Sequence, residues 1–253
     1  MSVGDRSAPS PSAEPPSPSA EPPSPSAEPR SEVEQLIEPE ADADPVGGEA
    51  ALRRARHQIR NELQLLTSLH ALHIRRVDDP RARRELVRCY RRIGVVSVVH
   101  QLSADDGGTV SADACLSTVA EFIEASARSL DDSRRFELEL DLEPLRWRHD
   151  HATRVALIVD ELFANAIDHA LPHGTNPTLV LQLAAIDGRT CLRLRDFGPG
   201  LPEHFDPIAG DTLGLPMAHA VAQQLGGSLE LARAPGGGTI ASLWLPLDQG
   251  APA

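Results

Sequence analysis

The 253-residue sequence contains no lysine; all 24 of its basic residues are arginine. No single function removes every lysine, so this reads as a compositional bias, and any cationic contact in a site must come from Arg or His. Aromatic residues are scarce, with 2 Trp, 1 Tyr and 5 Phe. Leu, Val, Ile and Ala must therefore fill the core, and the aromatic signature of RNA-binding modules is missing. Cysteine is limited to Cys89, Cys115 and Cys191, far apart and odd in number. That argues against a disulfide framework or a zinc site and fits a reducing cytosol. No apolar run reaches membrane-spanning length and the N-terminus has no signal-peptide core, so a soluble, cytoplasmic protein without a membrane partner is expected. The dinucleotide GxGxxG and Walker GxxxxGKS/T patterns are also absent, which disfavours those nucleotide folds.

What is present is distributed unevenly. The formal net charge of −13 divides into −9 over residues 1–50, +8 over residues 51–102 and −12 over the remainder. A basic middle between acidic flanks attracts an acidic partner or the chain's own acidic parts. No helix-turn-helix or zinc-finger signature accompanies the arginines, so nucleic acid is not expected as a partner.

Residues 1–48 are predicted to be a disordered tail. Three tandem copies of Pro-Ser-Pro-Ser-Ala-Glu-Pro over residues 9–29 cannot bury apolar surface, and their prolines favour extended conformations. Residues 49–102 read as a helical hairpin. Leu52, Ile59, Leu63, Leu66, Leu69 and Val77 recur at helical spacing in its first half. Leu86, Val87, Ile93, Val96 and Val99 do so in its second. Between them Asp79 is placed to cap the second helix and Pro80 to occupy its first position. Two helices cannot enclose a core alone, so a homodimer forming a four-helix bundle is expected.

Residues 103–110 read as a polar linker and hinge, residues 111–248 as an α+β domain, and residues 249–253 as a tail. In the domain a helix over 111–130 precedes a strictly alternating strand, Phe136–Leu142. A second helix starts near Asp150, and strands follow near Leu179–Ala185 and Cys191–Arg195. A third helix covers about Leu215–Leu225, before strands near Ser228–Arg233 and Thr239–Leu245. Helices segregated from a mixed or antiparallel sheet make an α+β sandwich.

Three stretches carry chemistry. On the second helix, Leu157, Ile158, Leu162, Ala166 and Ile167 make an apolar stripe, while Glu161, Asn165, Asp168 and His169 project mostly from another side. Such groups can ligate Mg²⁺ or orient its waters around a phosphate. Asp196-Phe-Gly-Pro-Gly200 ends a strand. Its carboxylate can accept a hydrogen bond from an amino group such as adenine N6, and Gly198 and Gly200 let backbone approach a flat ring. Gly210–Met217 lies at a helix start, where free N–H groups and the dipole favour phosphate.

In this order, these stretches resemble the N, G1 and G2 boxes of the GHKL ATPases, the superfamily of DNA gyrase, Hsp90, MutL and histidine kinases. The resemblance covers about residues 111–247 and implies the GHKL (Bergerat) α/β sandwich with ATP and Mg²⁺ as ligands. It makes Asn165 the Mg²⁺ ligand and Glu161 a group that positions water or helps activate the acceptor. It makes Asp196 the adenine reader, residues 201–213 a mobile lid, and Gly214, flanked by Leu213 and Leu215, the phosphate contact. Thr239 matches a late threonine near the base, and His169 stands where these kinases often carry His or Lys.

His57-Gln-Ile-Arg-Asn-Glu-Leu-Gln64 selects among the superfamily's members. A histidine facing away from the helical seam can accept a phosphoryl group, since neutral imidazole is nucleophilic, and Asn61 shares its face. The segment looks like the acceptor region of two-component sensor histidine kinases with the motif H-R-V-K-N-x-L-Q. Gln58 stands where Arg is usual and Glu62 where Asn is usual, and either Glu62 or Glu161 could take the proton. The resemblance implies autophosphorylation of His57 and transfer to an aspartate of a response regulator receiver domain. The arginines of the hairpin either form a solvated face or help to dock that acidic receiver. The alternatives are a phosphotransfer protein that makes no use of ATP and an anti-sigma-factor-type serine kinase. His70 and His73 lack a carboxylate partner for a metal site, and Asp168 is assigned to the solvated face.

Overall fold

The computed structural model describes residues 45–102, 108–130, 135–170, 177–203, 205–206 and 213–248. The repeats over 9–29, most of the linker, residues 204 and 207–212 of the expected lid over 201–213, and the tail 249–253 lie outside them.

The hairpin forms as its periodicity and caps require. Helix α1 (Pro45–Ile74) begins on a proline, the residue whose missing N–H costs a first turn nothing. It stops before Val77, where the amides of Arg76 and Val77 turn back onto the carbonyls of His73 and Ile74. Helix α2 (Pro80–Leu102) follows. Asp79 caps it: Oδ1 accepts from Arg81 N at 2.7 Å and from Ala82 N at 3.4 Å. Ile59, Leu65, Leu66, Leu69 and Leu72 stay exposed along α1.

The rest of the chain is a sandwich. Strand β1 (Thr109–Ser111) leads into α3 (Ala112–Leu130), β2 (Glu137–Leu142), β3 (Arg146–Arg148) and α4 (His149–Asn165). Then come β4 (Thr178–Ile186), β5 (Arg189–Asp196), α5 (Gly214–Gln224), β6 (Ser228–Arg233) and β7 (Thr239–Pro246). Five strands form a sheet in the order β2-β4-β5-β7-β6, with β2 parallel to β4 and every other pair antiparallel. Strands β1 and β3 form a separate two-stranded ladder, Val110 opposite Trp147. At three residues each they are too short to show a period, which is why the sequence reading placed the first of them in a linker.

Alternation puts Leu179, Leu181, Leu183, Leu192, Leu194, Leu243 and Leu245 on one buried face of the sheet. They share a core with Val119 and Ile123 of α3, Ile158 and Phe163 of α4, and Ala218 of α5. It is the largely aliphatic core that the scarcity of aromatics demanded. Val95 and Val99 of α2 belong to the same core, and Gly94 is pressed so close to Phe122 that a Cβ there would stand 2.0 Å from the ring. Packing therefore runs across the 102/103 boundary: α2 is a wall of the hairpin and of the sandwich together.

Candidate active site

A cavity of about 490 Å³ opens between α4, the end of β5 and the start of α5. Leu162, Ala166, Leu194, Leu215, Leu231 and Ala241 give it apolar walls, and Asn165, His169, Asp196 and Thr239 supply polar groups. An apolar slot with a few fixed polar groups suits a flat heterocycle with a charged tail.

Asp196 is held rigidly. Its Oδ1 accepts from the backbone N–H of Gly198 at 2.9 Å and of Thr239 at 3.0 Å, so the second oxygen is the one available to a ligand's amino group. The glycines nearby follow from this arrangement. Gly238 has φ +82, and a Cβ on it would lie 2.0 Å from the Asp196 carbonyl oxygen. Gly200, at φ +77, sits against the Gly238 carbonyl. Only residues without a Cβ let these two loops touch.

At the other end, Asn165 Nδ2 donates to the Glu161 carbonyl at 3.0 Å, which leaves Asn165 Oδ1 as an oxygen donor for a cation. After Asn165 the helix widens into a π-helical turn, Ala166–Ala170, a distortion common at functional sites. His169 on that turn still lines the cavity. Glu161 does not. It is 2% exposed, its Oε1 has no hydrogen-bond partner among the described residues, and it packs against Gly214, where a Cβ would stand 1.6 Å from Oε1. Leu213 is exposed. The oxygen donors fit a hard cation such as Mg²⁺. Among the described residues no cluster of three or more His, Cys, Asp or Glu could hold a metal, so phosphate oxygens and water would complete its shell.

Against α4 lies a row of arginines from α2. Arg91 Nε is 3.0 Å from Asp160 Oδ1, with both side chains buried. Arg92 Nη2 is 3.0 Å from Glu161 Oε2, and Arg88 Nη2 is 3.1 Å from Asp168 Oδ2. Burial pushes the Asp160 carboxyl above its usual range; Arg91 works against that shift and Glu161 adds to it. For Arg88 burial works against the charge, but Asp168, with help from Glu85 and Glu161, raises the guanidinium overall. His57 and Asn61 are exposed on α1, and no residue of α1 lines the cavity. Gln58 donates to Glu62 at 2.9 Å on the same exposed surface.

Two family models match the chain. The one for the histidine kinase-, DNA gyrase B- and HSP90-like ATPase covers residues 150–249, the cavity and its walls. One described as histidine kinase covers residues 55–127, beginning just before His57. The chain belongs to the histidine kinases. The sensor histidine kinase PdtaS of Mycolicibacterium smegmatis is 31% identical over 204 residues, 79% of this kinase and 40% of that protein. The histidine-protein kinase AfsQ2 of Streptomyces coelicolor is 34% identical over 131 residues, 46% of this chain and 24% of that one. The chain thus spans about two-fifths of the PdtaS length. In fold it is similar to the histidine kinase domain of a blue-light-activated histidine kinase from Erythrobacter litoralis. There the TM-score is 0.57 at 20% identity, covering 79% of this chain and 94% of that one. The α/β sandwich is the fold of the GHKL ATPase family that the match over residues 150–249 identifies. Among the described residues, no helix is long and apolar enough to cross a membrane.

Of the site residues expected from sequence, Asn165, His169, Asp196, Gly200, Leu215 and Thr239 come together around the cavity of this kinase. Gly198 supports it through Asp196, and Glu161 and Gly214 meet behind it. Asp168 corrects the reading of a solvated face, because Arg88 claims its carboxylate. The reading also missed Asp160 and the inward turn of Arg88, Arg91 and Arg92. Arginines at steps of three and four opposite acids at 160, 161 and 168 were the available signal, but a solvated helix face has the same pattern.

Proposed function

We propose that this kinase binds Mg·ATP in the cavity, transfers the γ-phosphoryl group to His57, and passes it to an aspartate on a response regulator receiver domain. The supporting observation is the rigid Asp196 at one end of an apolar slot with Asn165 and His169 at the other. The first suits adenine N6 and the second a polyphosphate. Phosphoryl transfer asks a protein mainly for positioning and charge stabilisation.

In the step itself a ring nitrogen of His57 attacks the γ-phosphorus as the bond to the ADP oxygen breaks. The imidazole's displaced proton passes to Glu161 or Glu62. Asn165 would hold the cation through Oδ1, and Glu161 would reach it through water. His169 adds a polar contact in a chain that has no lysine, and Leu213, Gly214 and Leu215 bring the α5 N-terminus to the phosphates. Mg²⁺, when bound, neutralises charge on the transferring phosphate. The exposed stripe of Leu65, Leu69 and Leu72 supports a homodimer in which two hairpins make a four-helix bundle.

Incubation with γ-labelled ATP is expected to give an acid-labile, base-stable phosphate that is lost in His57→Gln while ATP binding persists. Labelling retained in that variant overturns the assignment of the acceptor. An ATP titration separates the kinase from a phosphotransfer protein that does not use nucleotide.

A further inference from the structure

Resting on that functional reading, we infer that Arg195 is a positioning residue for recognition of the nucleotide base. From the opposite face of the sheet it holds the glycine loop that fixes Asp196. The two residues are neighbours in β5 and so project to opposite sides. Asp196 lines the cavity, while Arg195 stands in register with Val180 of β4 and Ile240 of β7. Its Nη2 donates to the Pro235 carbonyl at 2.9 Å, and its guanidinium carbon lies 4.5 Å from the centroid of the Phe197 ring. A planar cation can stack and donate together, so the ring sets the guanidinium plane that bonds the loop.

The loop needs a hold from outside. Gly236, Gly237 and Gly238 follow Pro235 with φ of +83, +105 and +82, and glycine loses more conformational freedom on ordering than any other residue. Two bonds tie the loop to itself, Ala234 N to the Gly238 carbonyl at 2.9 Å and Gly237 N to the Ala234 carbonyl at 3.0 Å. Neither sets where it stands against β5. The ladder of β5 with β7 ends at the pair Arg195–Ile240, one residue short of Thr239. Arg195 is the one side chain among the described residues that hydrogen-bonds residues 234–238. Thr239 N, next in the chain, supplies one of the two bonds to Asp196 Oδ1. If the loop drifts, Asp196 keeps only its bond from Gly198, and a carboxylate's terminal torsion is soft. Its second oxygen then loses its fixed position. Arg195 thus acts on base selection without lining the cavity.

The test titrates the full chain with ATP and with purine riboside triphosphate, which lacks the N6 amino group. Arg195→Ala is expected to weaken ATP about threefold to tenfold, the weight of one net hydrogen bond. The purine analogue makes no use of the Asp196 oxygen, so its affinity stays as in the parent. Arg195→Lys keeps a donor for Pro235 and recovers most of the preference for ATP. In an Asp196→Asn background, Arg195→Ala causes no further loss. An equal loss for both nucleotides marks a general loosening and overturns the positioning role. So does an Arg195→Ala variant with the parental preference, or a further loss in the Asp196→Asn background. A parent that binds ATP no better than the analogue refutes the reading of Asp196 itself. Hydrogen exchange of the nucleotide-free chain then still decides the contact. Faster exchange over residues 236–239 in Arg195→Ala supports the hold of Arg195 on the loop, and unchanged exchange refutes it.

Discussion

At the scale of single residues, Asp196 shows how backbone sets a side chain's chemistry. Two N–H donors converge on one of its oxygens, so the carboxylate presents a fixed acceptor rather than a mobile charge. Asp196→Asn keeps the shape and can keep both backbone bonds through its carbonyl oxygen, but then points an amide donor at a ligand's amino donor. ATP affinity is expected to fall at least about tenfold, the cost of an unpaired buried polar group, while circular dichroism stays as in the parent. Parental affinity in a nucleotide titration would remove Asp196 from adenine recognition. The acid and the glycines could be read from the sequence as a motif. The reason for Gly238 could not, because it depends on the carbonyl at the end of β5, 42 residues earlier in the chain.

At the scale of elements, legibility followed periodicity. The hairpin was readable because its apolar spacing, the Asp79 cap and Pro80 agree with one another, and the five long strands because they alternate or run apolar. The ladder of β1 and β3 was illegible at its length. The facing of α2 on α4 was illegible for another reason: the sequence of one helix says which residues are polar, not whether water or an opposite charge meets them. The α1 surface gives the sharpest expectation here. Leu65, Leu69 and Leu72 are exposed at steps of four and three, an apolar stripe of the sort that packs against another helix. Leu69→Glu with Leu72→Glu is expected to convert the proposed dimer to a monomer in sedimentation velocity, with ATP binding retained. Dimers that persist through both charges would place the interface elsewhere.

At the scale of the whole molecule, half-buried imidazoles tie stability to pH. Burial holds His100, His151 and His219 below the ordinary 6.5. For His151, Asp248 and Asp150 oppose that shift while Arg148 and Arg154 reinforce it. His100 lies edge-on to His149 with ring centroids 4.5 Å apart, and His151 packs on Trp147. A lowered folded value means that the unfolded chain binds protons first as pH falls. Their contribution is therefore complete above pH 6.5 and is lost as pH drops through the lowered values. The melting temperature is expected to decline from pH 7 to pH 5, and His100→Phe to flatten part of that decline. A melting temperature that rises with acidification contradicts the assignment. The double membership of α2 also bears on inheritance. The family-model match that contains His57 ends inside α3, and the other begins at residue 150, so neither boundary isolates the helix that both halves need. Recombination at the polar stretch after residue 102 would give one parent a sandwich lacking Val95 and Val99 and the other a helix with nothing to cover it. The heritable cassette therefore starts upstream of α2, and grafting a new input onto such a kinase means joining it to α1.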